Sequence, residues 1–270
     1  MSSAESLVDI HVHLLPGVDD GPRDIASSVA LIEQGLEDGV RCWVTTPHVL
    51  GPFDDRVDRL HQSVFQELVN EVARRRLPAE LHLASEIMFG ASTEDIKNHR
   101  TATFGGNGRY FLLEYPMMQF PTAAEEALFA AQLAGLRPIV AHPERNADLA
   151  RRPDLRARLA HRGVLFQINA RSLSREARSE DRNAAEHMIR NGVAHFIASD
   201  GHDPVQRPAF LRFAYERVAE LTSEPTARRL LVENPRAAIE GRAIRAVPEE
   251  DTLPVRWWHR LVRRKTENSR

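Results

Sequence analysis

Apolar and polar positions alternate regularly along the chain: short apolar runs are separated by longer segments with apolar residues at helical spacing. The runs predict β-strands at residues 7–11, 41–45, 81–85, 110–113, 138–141, 164–168 and 195–198. The other segments predict helices at residues 24–37, 55–75, 123–134, 155–161, 175–191, 207–221 and 225–240. Strands that alternate with helices form parallel sheets, because each helix returns the chain to the start of the next strand. The pattern predicts a single α/β domain, and seven strands rather than eight indicate an irregular barrel.

Most of the predicted strands end in a residue type that binds metals. His11 and His13 form an H-x-H pair, whose side chains point the same way on a strand, and Asp200 and His202 form a similar D-x-H pair. The C-terminal ends of parallel strands meet on one face, so we expect these side chains to converge. The candidate metal ligands are His11, His13, His48, Glu86, Glu114, His142, Asp200 and His202.

Four carboxylates have two interpretations each. Glu86 and Glu114 follow apolar runs, where a buried carboxylate without a partner is costly. A cation shared by the two would account for them, and a structural salt bridge is the alternative. Asp19 and Asp20 lie in a D-D-G turn, which is commonly solvated, but this turn directly follows His13. One of these two carboxylates is therefore expected to face the ion.

Two arginines are candidates for binding phosphate. Arg145 lies three residues after His142, and Arg207 follows His202 closely. A guanidinium binds two oxygens of an oxyanion at once, which suits a phosphate held beside a metal. The alternative for either arginine is an ion pair on the surface.

Composition and motifs exclude several classes of protein. The formal net charge of −2 gives no electrostatic case for binding nucleic acid. Cys42 is the only cysteine, and the position six residues later is His48, so the C-x5-R loop of a cysteine-dependent phosphatase is missing. The sequence has no P-loop, no G-x-S-x-G elbow, no signal peptide and no apolar run near ~18 residues. We therefore expect a cytoplasmic protein without a membrane span.

Seven motifs together resemble one family. They are DIHVHLLPGVDDGP, TTPH, ASEI, LLEYP, VAHPERN, QINARSL and IASDGHD, and the resemblance covers about Val8 to Gly241. In this order they resemble the PHP superfamily, named for its polymerase and histidinol phosphatase members. More narrowly, the chain is similar to the bacterial PHP-type protein-tyrosine phosphatases of capsule and exopolysaccharide operons.

The resemblance implies a distorted seven-stranded TIM-like (β/α) barrel with three divalent ions. Manganese is expected first, with iron, cobalt and zinc as alternatives. The resemblance assigns Arg145 and Arg207 to phosphate binding, and it makes Asp20 both a metal ligand and a catalytic residue. The ion sites it implies are His11, His13, Glu86 and Asp200 for one ion, Glu86, Glu114 and His142 for a second, and Asp20, His48 and His202 for the third.

The resemblance also implies a substrate: phosphotyrosine on the C-terminal tail of a membrane-anchored tyrosine autokinase that controls polymer production. One rival is a phosphatase of small molecules such as histidinol phosphate, and another is a binding module that has lost catalysis. Arg171, Gly201 and Asp203 depart from the family pattern and put substrate preference in doubt more than catalysis.

The end of the chain differs from the rest. Residues 1–246 are predicted to form the barrel, and residues 247–270 a basic tail that contains VRWWHRLVRRK at 255–265. Such a segment can lie on an anionic membrane surface. The favoured alternative is that its tryptophans pack against the barrel or a second subunit. Whether the chain forms a homo-oligomer is left open.

Overall fold

The computed structural model describes residues 6–244 of the 270-residue chain. Strands and helices alternate along this part. The strands are β1 (Leu7–Val12), β2 (Val40–Thr45), β3 (His48–Val49), β4 (Glu80–Leu83), β5 (Glu86–Met88), β6 (Tyr110–Glu114), β7 (Arg137–Ala141), β8 (Leu165–Asn169) and β9 (Phe196–Ala198). The helices are α1 (Ile25–Asp38), α2 (Asp55–Arg74), α3 (Thr93–Asn98), α4 (Ala124–Leu133), α5 (Ala147–Arg151), α6 (Pro153–His161), α7 (Ser179–Arg190), α8 (Arg212–Leu221), α9 (Glu224–Arg228) and α10 (Asn234–Ile239).

All of these strands pair in parallel, in two sheets. One sheet has the order β1-β2-β4 and the other the order β3-β5-β6-β7-β8-β9. The prediction of an α/β fold with parallel strands is confirmed. Within residues 6–244, however, the strands form two ladders and not one closed ladder.

The two sheets meet where two strands are interrupted. Thr46 and Pro47 separate β2 from β3, and Ala84 and Ser85 separate β4 from β5. Hydrogen bonds continue across the interruption, from the Ala84 N–H to the Thr45 carbonyl (2.9 Å) and from the Glu86 N–H to the Pro47 carbonyl (3.1 Å). The apolar runs predicted β2 and β4, but not their short continuations β3 and β5.

The opposite edges, β1 and β9, are also joined. Val12 and Gly201 form a parallel bridge, and the Asp200 N–H donates to the His11 carbonyl at 2.8 Å. The strand ends that carry the candidate ligands are therefore neighbours around the whole arrangement.

Alternate residues of the strands face two different cores. On β6, Leu112 packs in a small inner cluster with side chains of β1, β2 and β7, while Phe111 packs in the larger cluster against the helices. The inward positions change from apolar to polar towards the C-terminal end of a strand, since Leu112 is followed by Glu114 on β6 and Leu165 by Gln167 on β8. This change places polar side chains at one end of the strands.

Most predicted helices form, with two informative differences in where they begin. The helix predicted from Arg175 begins at Ser179, and the one predicted from Arg207 begins at Arg212. The segment before α8 is held in other ways, because the Arg207 carbonyl accepts the His202 N–H (2.8 Å) and the Asp38 carboxylate accepts the first N–H groups of α8. Arg207 thus lies on a turn that folds back towards His202. The short helices α3 and α5 were not predicted.

Within residues 6–244, no helix is both long enough and apolar enough to cross a bilayer. The tail at 247–270, with its segment 255–265, lies outside the described residues, and so does the predicted boundary after residue 246.

Helix α1 packs on β2 through a glycine, which generates a stability prediction. A Cβ at Gly35 would lie 2.9 Å from Cζ2 of the buried Trp43 ring. Because the ring is enclosed, we expect Gly35→Ala to lower the free energy of unfolding by about 1–3 kcal/mol, measured by urea denaturation. The exposed Glu37→Ala on the same helix is the control and should change it by less than about 0.5 kcal/mol. Equal stabilities of the two variants would show that the contact is not tight.

Candidate metal centre

The paired histidines of β1 are oriented by their own hydrogen bonds. Nδ1 of His11 lies 2.9 Å from Oε1 of Gln167, and Nδ1 of His13 lies 2.7 Å from Oδ2 of Asp19. Because these partners are acceptors, each Nδ1 carries a proton, which leaves Nε2 as the nitrogen that can bind a metal. The two Nε2 atoms face the same point and lie 3.4 Å apart. Nδ1 of His202 is held likewise, by the carbonyl of Asp200 at 2.9 Å.

The carboxylate of Glu86 lies at the centre of the cluster and is fully buried. Its Oε2 is 3.1 Å from Nε2 of His11, 3.3 Å from Nε2 of His13 and 3.1 Å from Nδ1 of His48. Its Oε1 is 3.1 Å from Nε2 of His142. Burial acts to raise the pKa of Glu86, but the surrounding imidazoles outweigh burial and hold this pKa well below its usual range.

Glu114 and His142 extend the cluster on one side. Oε1 of Glu114 lies 3.7 Å from Nε2 of His142, and Oε2 lies 3.7 Å from Nδ1 of His48. Burial and the neighbouring Glu86 carboxylate raise the pKa of Glu114 to about 7. Two carboxylates this close repel each other unless a proton or a cation lies between them.

Asp20 extends the cluster on the other side, towards solvent. Its Oδ1 is 3.1 Å from Nε2 of His202 and 3.4 Å from Nε2 of His48, and its side chain is 60% exposed. Of the predicted ligands, Asp20 is therefore the one in widest contact with water.

The predicted ligands all lie together at this end of the strands. Donor atoms approach within 4.8 Å of one another in three groups: His11, His13, Glu86 and Asp200; His13, Asp20, His48 and His202; and His48, Glu86 and Glu114. The first group is the set predicted for one ion. Three residues each belong to two groups: His13, His48 and Glu86. The predicted sets share only Glu86.

Several atoms of the cluster that could bind a metal make no hydrogen bond. They are Nδ1 of His48, Oε2 of Glu86 and Nε2 of His202, all buried. A buried polar atom without a partner is costly, and imidazole nitrogens and carboxylate oxygens are the donors that divalent transition metals prefer. These residues therefore fit divalent metal ions.

Both predicted arginines reach the same carboxylate of the cluster. Nη1 of Arg145 donates to Oδ2 of Asp200 at 2.9 Å, and Nη2 of Arg207 donates to it at 3.2 Å. Nη1 of Arg207 also donates to Oδ2 of Asp20 at 3.3 Å. Each guanidinium is partly exposed and lines a cavity of about 410 Å³ beside the cluster. Both arginines do form ion pairs, and the carboxylates with which they pair belong to the cluster.

Asp200 is held in place from several sides. Nδ2 of Asn169 donates to its Oδ2 at 2.7 Å. Burial acts to raise the pKa of Asp200, but His11 and His142 lower it by more than burial raises it, so the net shift is downward. Both Asp200 (φ 55°) and His142 (φ 30°) have left-handed backbones, which are strained for residues other than glycine and cluster at functional sites.

Some residues of the site were missed in the sequence. Asp19, not singled out from Asp20, accepts from Nδ1 of His13, from the His48 N–H (2.9 Å) and from the Gly21 N–H (2.9 Å). Burial acts to raise the pKa of Asp19, but these hydrogen bonds lower it by more, so the net shift is downward. Gln167 was also missed, although a glutamine amid the apolar residues of β8 was an available signal.

Asp9 is a further buried carboxylate close to the cluster. It accepts hydrogen bonds from the Ser199 hydroxyl, from the Ser199 N–H (3.0 Å) and from the His11 N–H (3.3 Å). Burial raises its pKa to about 6. Asp9 thus links the start of the H-x-H pair on β1 to the segment that carries Asp200.

Cys42 lies away from this centre. It is buried in the inner core, pairs in register with Glu80 near the beginning of β4, and burial raises the pKa of its thiol to about 12. A thiol with such a pKa is not ionised at neutral pH and is a poor nucleophile.

The bond between Asp19 and His13 generates a prediction. Removing the charge with Asp19→Asn weakens the acceptor that fixes the His13 tautomer, so we expect divalent-metal affinity to fall about 10- to 100-fold, measured by titration of metal-free protein. Asp24→Asn is the control, because asparagine caps α1 as well as aspartate does. Equal affinities in the two variants would assign Asp19 to the turn alone.

Comparisons with known proteins agree with this geometry. A family model described as capsular polysaccharide synthesis, CpsB/CapC, matches residues 7–240. CapC of Staphylococcus aureus is 34% identical over 208 residues, which is 76% of this chain and 81% of that protein. The tyrosine-protein phosphatase YwqE of Bacillus subtilis is 28% identical over 202 residues, 73% of this chain and 78% of its own length.

Solved structures agree as well. A structure described with YwqE of Bacillus subtilis and CpsB of Streptococcus pneumoniae, "unique metal-dependent tyrosine phosphatases", superposes with a TM-score of 0.80 at 25% identity, covering 89% of this chain and 97% of that one. The phosphotriesterase homology protein of Escherichia coli shares the fold alone, with a TM-score of 0.56 at 15% identity over 88% of this chain and 99% of that one. The resemblance seen in the motifs is confirmed: this chain belongs to the CpsB/CapC family of capsular polysaccharide synthesis proteins.

Proposed function

We propose that this protein is a metal-dependent phosphatase that hydrolyses phosphotyrosine on a protein. The observation that carries the proposal is the position of Arg145 and Arg207, which both reach Asp200 at the edge of the metal-binding cluster and line the adjacent cavity. Guanidinium groups beside a cluster of candidate metal ligands form a site for an oxyanion such as a phosphate monoester. The relatives named as tyrosine-protein phosphatases support the choice of phosphotyrosine.

The proposed cofactor is three divalent ions, manganese first, with iron, cobalt and zinc as alternatives. His11, His13, Glu86 and Asp200 would hold one ion, Glu86, Glu114 and His142 a second, and Asp20, His48 and His202 the third. Of the three groups of ligand atoms, one is identical to the first set, one is the third set with His13 added, and one is the second set with His48 in place of His142. His142 is included because its Nε2 lies 3.1 Å from Oε1 of Glu86. When bound, such ions polarise phosphoryl oxygens and lower the pKa of water, which supplies a nucleophile at neutral pH.

The side chains of the chain itself would bind and orient the phosphate. Arg145 and Arg207 would exchange their bonds to Asp200 for bonds to phosphoryl oxygens, with Asn169 keeping Asp200 in place. Asp20 combines a ligand position with exposure to solvent, so it is the carboxylate best placed to exchange protons with water. The departing phenol has a pKa near ~10, so it needs less help from an acid than an alkyl alcohol. The burial of Cys42 supports direct hydrolysis without a cysteinyl phosphate.

The same proposal includes the architecture and the setting of the enzyme. The interrupted strands β2–β3 and β4–β5, together with the bridge from Val12 to Gly201, support a distorted seven-stranded barrel formed from both sheets. The barrel would occupy residues 1–246, with residues 247–270 as a tail. We propose that the enzyme is cytoplasmic and acts on the phosphotyrosine tail of a membrane-anchored tyrosine kinase of polymer export.

Removal of metal tests this function. We expect exhaustive chelation to abolish hydrolysis of a phosphotyrosine peptide and manganese to restore it. The reason is that the proposed nucleophile is a water whose pKa the ions would lower, and no side chain of the site is proposed to attack the phosphate. The measurement is phosphate release together with metal content. Histidinol phosphate is assayed in parallel, and a higher kcat/KM for it than for the peptide would favour the small-molecule rival. Full activity in protein shown to be free of metal would contradict the mechanism.

Arg145 provides a second test. We expect Arg145→Ala to lower kcat/KM about 10²- to 10³-fold, the range found when one group that stabilises transition-state charge is removed. Metal content should stay near that of the wild type, because Arg145 contacts a ligand and is not one. Arg158→Ala is the control, since Arg158 is exposed and pairs with Glu125 on α4. Unchanged kinetics in Arg145→Ala would exclude a role in binding phosphate.

A further inference from the structure

A second cavity, of about 540 Å³, lies beside the one next to the metal centre. Arg145, Arg178 and Asp181 line both cavities, so the two are adjacent and Arg145 lies between them. The proposed phosphate site uses only the first cavity. Most of the accessible wall of the second cavity consists of apolar atoms, and Met117, Met118, Ala147, Ala150, Pro153 and Ala184 are its apolar residues. Charged side chains such as Arg151, Arg156 and Glu180 line it as well.

The segment with the two methionines is fixed in its main chain and exposed in its side chains. The Ala147 N–H donates to the Met117 carbonyl at 2.8 Å, and the Asn146 side-chain amide donates to the carbonyls of Pro116 (2.8 Å) and Gln119 (3.1 Å). These bonds tie the segment to the residues directly after Arg145. The Met118 side chain is nevertheless 76% exposed. Methionine adapts its shape to different apolar partners, and it is common on surfaces that bind varied peptides.

A buried carboxylate at the same cavity lacks half of its partners. Oε1 of Glu144 accepts the Asn169 N–H at 3.0 Å and the Ser172 hydroxyl at 2.7 Å. Oε2 of Glu144 is buried and has no partner. A buried oxygen without a partner is costly, but this atom is closed to solvent, so Glu144 forms part of the inner wall of the cavity and does not contact a bound chain.

We propose that this second cavity is the subsite for a residue that neighbours phosphotyrosine in the protein substrate. It takes an apolar side chain of the substrate against Met117 and Met118. This inference rests on the proposed function, since it assumes that phosphotyrosine occupies the first cavity. It names the substrate class more closely: phosphotyrosine flanked by apolar residues, in a polypeptide rather than in a small molecule.

Two phosphopeptides test the subsite in the manganese-loaded enzyme. They are identical except that the residues on both sides of the phosphotyrosine are leucine in one and aspartate in the other. We expect the wild type to favour the leucine peptide about tenfold or more in kcat/KM, mostly through KM, as for apolar groups in an apolar pocket. Met118→Asp should remove most of this preference and lower the ratio of kcat/KM for the leucine peptide to that for p-nitrophenyl phosphate several-fold.

Leu133→Asp is the matched control, because Leu133 is 74% exposed on α4 and lines neither cavity. It should keep the wild-type preference and the wild-type ratio. Equal kcat/KM for both peptides in the wild type would overturn the subsite and leave the phosphotyrosine phosphatase intact. An equal effect of Met118→Asp and Leu133→Asp would overturn it too. Hydrolysis of p-nitrophenyl phosphate without hydrolysis of either peptide would overturn the proposed function, and the subsite with it.

Discussion

The buried carboxylate of Glu86 is the constraint around which the rest of the site is arranged. An isolated carboxylate in a protein interior is strongly unfavourable, and it is tolerated only with charged or hydrogen-bonding partners. Glu86 has four imidazoles around it, from the ends of β1 and β7 and from β3. Metal ions would take over this compensation, and the imidazoles would then have to lose their protons. The pKa of His13 illustrates the exchange: burial acts to lower it, but Asp19 and Glu86 raise it to about 10. Metal binding would therefore release protons and strengthen as pH rises.

Two of the residues that converge on Glu86 have an unusual backbone conformation directly after a strand. His142 and Asp200 adopt left-handed backbones directly after β7 and β9. Conformations of this kind cost of order 1–3 kcal/mol each and persist where the surroundings impose them. Here the surroundings are specific: the Asp200 N–H is bonded to the His11 carbonyl, and the His142 carbonyl accepts the Arg145 N–H at 2.9 Å. Gly201 fits closely as well, since a Cβ there would lie 2.8 Å from Cβ of Ala209. The strain at Asp200 and the glycine next to it both belong to the segment that brings Asp200 and His202 into the cluster.

The sequence predicts the positions of the main strands and the convergence of their polar ends, because both follow from local periodicity and from the parallel arrangement. It does not separate Asp19 from Asp20. Two neighbours in a turn point in different directions, and only the fold decides that Asp19 supports His13 while Asp20 meets His48 and His202. The start of α8 was predicted too early for a related reason. The bonds of the Arg207 carbonyl to His202 and Asp203 join residues that are close in the chain but have no periodic signature. The sequence therefore predicts correctly that Arg207 lies near His202, but it wrongly places Arg207 in a helix.

The site divides into a centre of candidate metal ligands and a rim formed by the cavity walls. Most of the candidate ligands are buried at or next to strand ends, whereas the cavity walls come from segments after the strands and from helices such as α5, α6 and α7. Arg171 lies in a 3₁₀ turn directly after β8, and its Nη1 donates to the Gln206 carbonyl at 3.3 Å, next to Arg207. It lines the first cavity, so its charge changes the rim without contacting a metal donor. A metal centre built on strands can stay constant while loops such as those of Met118 and Arg171 change what reaches it.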